Sequence, residues 1–352
     1  MKKMLIIKDL RNWFWATYPD WTTEISLSAE YIRDYFRERE YDVILTSYKE
    51  FDYSRNYAGY LVLYTSAEDY CGGSKAFIED VLVFLKKQGA VLLPEFSYFR
   101  AHDNKVMMEL LRQGFADERL KTIRSQVWSS YEELKSASIT EYPVILKRAG
   151  GAGGEGVFLA HNQKELYKYA EKVSRLTNML QFYYLSCVNV KQKLLKKEPV
   201  KIHNSKFITQ NFIAGLAGDY KILVFGAHYF VLYRLNRQND FRASGSGLFS
   251  EENGSRINEI LDFARACTEE IKAPWISLDI CHDGTVCHLI EFQCISFGFK
   301  AMSMSKSHYE YKENHWDTVK GSVVVEKEFC DSIQYYLEKY GEEEACAEYA
   351  DL

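Results

Sequence analysis

The stretch Pro143–Ala160, PVILKRAGGAGGEGVFLA, holds five glycines within seven residues, directly after an apolar run and a lysine. Glycine at that density lets a backbone close on a ligand, most often a phosphate. Three phosphate-binding designs compete for it. A Walker loop needs lysine and then serine or threonine straight after its last glycine, and Val157 stands there instead. A dinucleotide fingerprint fits as letters, through Gly151, Gly153 and Gly156, but a helix must open at once so that its N-terminus meets the pyrophosphate. The next residues are VFLAHN, short and β-favouring, and a helical pattern starts only near Gln163. The third design is a glycine-rich loop closing two antiparallel strands, 143–148 and 156–160, as a lid whose backbone N–H groups cover a triphosphate. Lys147, at the end of the entering strand, then points its ammonium at the phosphates. The context selects this third design.

Composition narrows what such a lid can serve. A chain of 352 residues, 47% of them apolar, can fill two or three cores. A net charge of −5 argues against a general nucleic-acid binder. The eight cysteines form no CxxC pair, which suits a reduced, cytoplasmic protein better than a disulfide scaffold or a zinc ribbon. In MKKMLIIKDL the apolar run spans only Met4 to Ile7, too short for a signal peptide, and no run approaches the ~20 apolar residues of a membrane span.

Residues 1–100 read as an N-terminal α/β domain. The runs 4–9, 42–47, 60–66 and 90–95 are short and apolar, as buried parallel strands are. Helical spacing is expected over 24–39, through Ile25, Ala29, Ile32 and Phe36, and over 74–88, through Phe77, Val81, Phe84 and Leu85, with Gly89 as the stop. Asp20 to Thr23, and Gly72, Gly73 and Ser74, sit where strand-end loops hold either a ligand or ordinary turns.

With the glycine loop placed, the chain resembles the ATP-grasp superfamily over about 105–300. The resemblance runs through HDNKVMMELL, the lysine-glycine lid, FITQNFIAG, GDYKILVFGAHYFVLYR, NDFRASGSG and SLDICHDGTVCHLIEFQ, in that order. It implies an ATP-grasp fold, α+β in its catalytic part (101–325, divided near 206), behind a Rossmann-like N-terminal domain and ahead of a C-terminal helix and acidic tail, 326–352. It implies ATP contacts from Lys105, Lys147, Gly151, Gly153, Gly154 and Gly156, a hinge of Gln210, Asn211, Phe212 and Ile213, and further contacts from Asp219 and Lys221. Arg234 and Arg242 are the implied catalytic arginines. Asp279, Glu291 and Gln293 are the implied ligands of Mg2+, with Mn2+ as a substitute. Gln293 stands where the family usually has asparagine, and Lys221 where arginine is common. A weaker similarity points to ATP-grasp proteins of bacterial surface-polysaccharide pathways.

The residues support the same chemistry on their own terms. Acids in an apolar strand are costly unless paired or metal-bound, and magnesium takes carboxylate and amide oxygens while bridging nucleotide phosphates. The expected reaction is a carboxylate–amine ligation through an acyl phosphate, which needs no side-chain nucleophile. The partners are then a small or polymer-linked carboxylate and an amine, whose identity the sequence leaves open, as it does the oligomeric state. The other class is a nucleotide-binding regulatory or scaffold protein with a degenerate site. A dehydrogenase is a distant third.

Three local readings complete the expectations. Asp283-Gly284 signals a tight hairpin, yet a two-residue loop would turn Glu291 away from Asp279, since side chains alternate along a strand. A joint site needs an odd loop or a bulge, and a three-residue Asp283-Gly284-Thr285 connection is expected. Residues 174–206 form an insert whose KQKLLKKEPVKIHNSK end is either a solvated helix or a landing surface for an acidic substrate. The last helix is expected to carry Phe329, Ile333, Tyr336 and Leu337 on one face. His282, His288, Cys281 and Cys287 match no zinc-finger spacing.

Overall fold

In chain order the molecule begins β1 (Lys2–Lys8), β2 (Phe14–Thr17), β3 (Ile25–Leu27), α1 (Ala29–Arg37), β4 (Tyr41–Ser47), β5 (Tyr60–Tyr64), α2 (Gly73–Lys87), β6 (Val91–Leu93) and α3 (Phe96–Ala101). The computed structural model describes residues 2–347 apart from 18–24, 68–72, 152, 155, 176–178, 199, 201, 204, 239, 244, 245 and 251–255. The readings of Asp20–Thr23, Gly72, Asn239, Ser244-Gly245 and the 348–352 end of the tail therefore lie outside the described residues.

The four apolar runs become a parallel sheet in the order β4-β1-β5-β6. Two helices depart from their sequence expectation. Ile25 belongs to β3, which pairs with β2, and the Ser28 hydroxyl then caps the helix by accepting from the Tyr31 N–H, so α1 starts at Ala29 rather than 24. Helix α2 covers the expected span but is turned: Ile78, Val81, Leu82 and Leu85 form the buried stripe, and Phe77 faces solvent.

The middle of the chain supplies α4 (Lys105–Gln113), β7 (Ser125–Trp128), α5 (Tyr131–Ser136), β8 (Val144–Arg148), β9 (Val157–Ala160), α6 (Gln163–Ser174), α7 (Met179–Leu194) and β10 (Phe207–Asn211). The strands form an antiparallel sheet in the order β7-β10-β8-β9. Lys147 lies opposite Val157, so the glycine loop does close a hairpin, and among the described residues that follow it the next helix opens at Gln163. Alternation divides the sheet: Val144, Leu146 and Phe207 pack under Leu134, Leu166 and Ala170 of α5 and α6, while Ile145, Lys147 and Gln210 turn to the other side. Helix α7 is exposed, as one of the two readings of the insert expects, but its exposed surface is not only polar. Leu180, Tyr183, Tyr184, Val190 and Leu194 are all exposed on it.

The third sheet uses β11 (Gly218–Phe225), β12 (His228–Leu235), β13 (Phe249–Ser250), β14 (Trp275–His282), β15 (Cys287–Gln293), β16 (Ser307–Lys312) and β17 (His315–Lys320), with α8 (Ile257–Ile271) following β13, α9 (Lys300–Met304) following β15, and α10 (Val325–Ala347) closing the chain with a kink at Gly341. Its order is β15-β14-β11-β12-β16-β17, antiparallel throughout, with β13 added to β12. Ile222, Leu278 and Phe292 meet Ile260, Leu261 and Ala264 of α8 on one face. Helix α10 buries Phe329, Ile333 and Tyr336, with Leu337 beside them, as its spacing requires. An aromatic seam joins the parts: Trp15 lies 5.2 Å from Trp275, Phe329 stacks on Trp275 at 4.2 Å, and the Trp15 indole N–H donates to the Phe297 carbonyl at 3.0 Å. No helix among the described residues is long and apolar enough to cross a membrane.

Gly156 marks where the lid rejoins the sheet. Its φ is +74°, and an added Cβ would sit 2.9 Å from the Arg148 Cβ. Gly156→Ala is expected to cost about 1–2 kcal/mol from the left-handed backbone alone, read as a lowered urea midpoint with an unchanged slope. An unchanged midpoint would show that this hairpin is not part of the cooperative fold.

Candidate nucleotide and metal site

Asp279 and Glu291 reach one face of the third sheet through a register shift. His282 pairs with Cys287, so the connection 283–286 holds four residues, and the expected three-residue turn does not form. The Asp283 carboxylate is the reason: it accepts from the Thr285 and Val286 N–H groups at 2.7 and 2.9 Å, which favours the wider turn. An even loop alone would leave Glu291 on the wrong face. A bulge restores it. Pairing runs His282–Cys287, Cys281–His288 and Ile280–Leu289, then jumps to Asp279–Glu291 and Ser277–Gln293, leaving Ile290 as the extra residue.

The neighbouring strands bring bases to the same face. Lys221 lies opposite Asp279, and Arg234 lies opposite Asp219. Lys221 donates to Asp279 Oδ1 at 2.9 Å. Arg234 donates to both Asp219 oxygens at 2.6 and 2.8 Å, and its Nη2 lies 2.8 Å from Asp279 Oδ2. Burial works against charge on Asp279, but Arg234 and Lys221 outweigh it and hold the carboxyl well below the usual carboxylate range. Gly218 permits this pairing, because a Cβ there would fall 2.1 Å from the Arg234 carbonyl oxygen.

Glu291 accepts from the Gln293 amide at 2.9 Å and lies 3.7 Å from the Lys105 ammonium. Asp279, Glu291 and Gln293 thus form a set of hard oxygen donors on adjoining strands. That chemistry fits magnesium, which takes one or two carboxylates and completes its shell with water and phosphate oxygens, and manganese accepts the same donors.

The opposite wall carries the lysines and the lid. Lys147 is buried, which pushes its pKa down, while Glu291 and Glu109 pull it back and Lys105 adds to the depression. Lys105, the first residue of α4, donates to the Gly151 carbonyl at 2.8 Å. Arg237 and Arg242 donate to the Gly153 and Gly154 carbonyls, each at 3.1 Å, and Arg242 is itself held by Asp240. The lid is therefore tied down through its carbonyls from both sides. Between the walls lies a cavity of about 290 Å³. Every site residue expected from the sequence lines it except Gly156, which sits at the strand end, where its role is the turn described above.

The hinge is built differently from a set of side-chain ligands. Gln210 donates to Glu109 and Ser125 at 2.9 and 3.0 Å, and Asn211 accepts from the Arg124 N–H at 2.7 Å. Phe212 and Ile213, with Ile123, Ile145, Leu216 and Phe241, form apolar walls suited to a flat base. Sequence reading missed the support beneath them. Glu109 is fully buried, receives the Arg112 guanidinium, and Arg112 in turn donates to Ser125 at 2.6 Å and the Ile123 carbonyl at 2.7 Å. The signal was an acid and a base three residues apart within MELLRQ, a helical pair that is ordinarily exposed. His282 and His288 do not share a site: His282 meets Glu259 at 2.9 Å, while His288 meets Thr122 at 2.9 Å and Asp283 at 3.0 Å.

Known proteins agree with this architecture. Residues 109–187 match the model of the carbamoyl-phosphate synthase L chain, ATP binding domain. The chain is similar in structure to D-cycloserine synthetase, with a TM-score of 0.52 and 10% identity over 94% of this chain and 98% of that one. It is also similar to a RimK domain protein ATP-grasp from Sphaerobacter thermophilus, with 0.45 and 12% over 84% and 92%. For N5-carboxyaminoimidazole synthetase from Staphylococcus aureus, complexed with ADP, the values are 0.49 and 10% over 88% and 74%. No curated protein matches the sequence. The chain thus shares the fold of D-cycloserine synthetase, and residues 109–187 carry the match to an ATP-binding domain.

If the Lys147 charge faces nucleotide phosphates, Lys147→Ala is expected to weaken ATP far more than AMP, and calorimetry of both nucleotides checks it. Equal losses would place the lysine elsewhere. A depressed lysine pKa costs folding stability below its folded value, and the cost fades as pH rises toward the ordinary value. Phosphate charge reverses the depression, so ATP binding should take up protons within that window, seen as a buffer-dependent binding enthalpy that Lys147→Ala removes.

Proposed function

We propose that the protein is an ATP-dependent ligase that activates a carboxylate as an acyl phosphate and joins it to an amine. One observation carries this reading: two lysines beneath a glycine lid face an arginine and an acidic oxygen set across a single cavity. The substrate carboxylate oxygen attacks the γ-phosphorus, the bond from that phosphorus to the β–γ bridging oxygen breaks, and ADP leaves with the electron pair. The amine nitrogen then attacks the acyl carbon, phosphate departs, and the nitrogen loses a proton to water.

The residues of this chain would bind and orient rather than form covalent bonds. Lys105 and Lys147 would hold the nucleotide phosphates. Arg234 is fixed by Asp219 and Asp279 through Nε and Nη2, and its Nη1 has no partner among the described residues, leaving it for an oxygen of the transferred group. Arg242 lies under the lid to meet the same charge. When bound by Asp279, Glu291 and Gln293, magnesium would supply neutralisation of the phosphate charge. The cationic end of α7, Lys191 and Lys193 with Lys196 and Lys197 just beyond it, makes uronic-acid polymers and acidic peptides the first acids to test.

The test is phosphate release from ATP across a panel of carboxylic acids with hydroxylamine as the amine. Hydroxamate formation supports acyl-phosphate chemistry and names the acid class. Tight ATP binding with no hydroxamate from any acid favours the second reading, a nucleotide-binding regulatory protein, to which Gln293 in place of asparagine points. Within the ligase reading, Glu291→Gln removes a charge and little volume. It is expected to abolish magnesium-dependent turnover at an unchanged Tm, and full activity would remove Glu291 from the metal set.

A further inference from the structure

A second group of ligand-type side chains lies on the third sheet, and none of its members lines the nucleotide cavity. His308 and Glu310 are two residues apart on β16, and β12 places His228 directly opposite Glu310. Alternation therefore puts all three on one face, where Glu328 of α10 covers them. The His308 Nε2 lies 2.9 Å from Glu310 Oε1, and the His228 Nε2 lies 3.4 Å from the same oxygen. The two rings sit 4.3 Å apart, tilted by 34°. His308 is 7% exposed, and its Nδ1 is buried with no partner among the described residues.

The two separations to Glu310 Oε1 are close to those of a metal polyhedron, and all three donor atoms lie within 4.8 Å of one another. Ligand bonds of about 2.0–2.1 Å at tetrahedral angles set ligand atoms roughly 3.3 Å apart. The second nitrogen of His228 adds an independent sign. Its Nδ1 lies 2.7 Å from Glu328 Oε2, the carboxylate partner that orients a metal-bound imidazole. Lys312 holds the other oxygen of Glu310, which leaves Oε1 for the cation.

We infer that His228, His308 and Glu310 bind one divalent transition metal of the zinc type, with Glu328 orienting His228 and the fourth position left to water. Binding displaces the Nε2 protons into solvent. Because β12, β16 and α10 all contribute, the ion would staple the C-terminal helix to the sheet.

The test uses the full chain, stripped with a chelator and titrated with zinc chloride in excess magnesium, read by metal content after gel filtration and by Tm. One zinc per chain and a raised Tm are expected, both lost in His308→Asn and in Glu310→Gln, and affinity is expected to fall about 10–100-fold in Glu328→Gln. His282→Asn should change neither reading, since it removes a different group, Glu259, His282 and Cys287, whose donor atoms also lie within 4.8 Å of one another. The inference is overturned if the wild type retains no zinc, if His308→Asn and Glu310→Gln retain it fully, or if His282→Asn loses it. Should circular dichroism show His308→Asn misfolded, Glu310→Gln decides.

Discussion

Asp279 is a buried carboxylate, and a buried carboxylate survives as an ion when cations meet it. Lys221 and Arg234 do so from the two adjoining strands, and Asp219 offsets the charge that Arg234 brings. This four-group cluster constrains the central strands together. Lys221 must lie opposite Asp279, Arg234 opposite Asp219, and Gly218 must give the β12 backbone room. A one-residue slip of β11 would send Lys221 into the apolar core under α8 and leave Asp279 short of a counter-charge. The part of that face around the four groups is polar, and the opposite face is apolar. Ile222 and Leu278 point down as Lys221 and Asp279 point up.

The second sheet answers that face with an opposite arrangement. Its lysine is buried and poorly solvated, and its charge is tolerated because Glu291 and Glu109 lie near it. Burial still holds its pKa below the ordinary lysine value, so an anionic ligand would be matched to it electrostatically. The lid above is anchored at its carbonyls by Lys105, Arg237 and Arg242, two of them from the 237–242 loop and one from α4. The position of the glycine loop is thus tied to those of α4 and of that loop. The Glu109–Arg112 pair, with Ser125 and Gln210, fixes the floor from beneath. Breaking one member would leave a buried charge unpaired, so the hinge and α4 are held in one register.

The zinc-type cluster and the aromatic seam act on another part of the molecule. Trp15, Trp275 and Phe329 join β2, β14 and α10 by apolar contact. His228, His308, Glu310 and Glu328 join β12, β16 and α10 by charge. Helix α10 is therefore held at two points of different chemistry, both remote in sequence from the cavity-lining residues of the lid.

By itself the sequence determined the parts whose cause is local. The VFLA run after the glycines dictates a strand rather than a helix, and the four apolar runs of the N-terminus dictate a parallel sheet, because these depend on neighbours within a few residues. The family resemblance, carried by motifs in order along the chain, made the cavity residues legible, from Lys105 to Gln293. Tertiary structure decided what depends on a partner far along the chain. The start of α1 rests on β2 pairing with β3, the stripe of α2 on the sheet beneath it, and the exposed apolar face of α7 on the absence of a covering element among the described residues. The parity of the 279–293 hairpin was legible as a requirement, but the choice of a bulge over an odd loop was not. It turns on Asp283 binding two backbone N–H groups, and a pattern of residue types does not reveal where a carboxylate will find its donors.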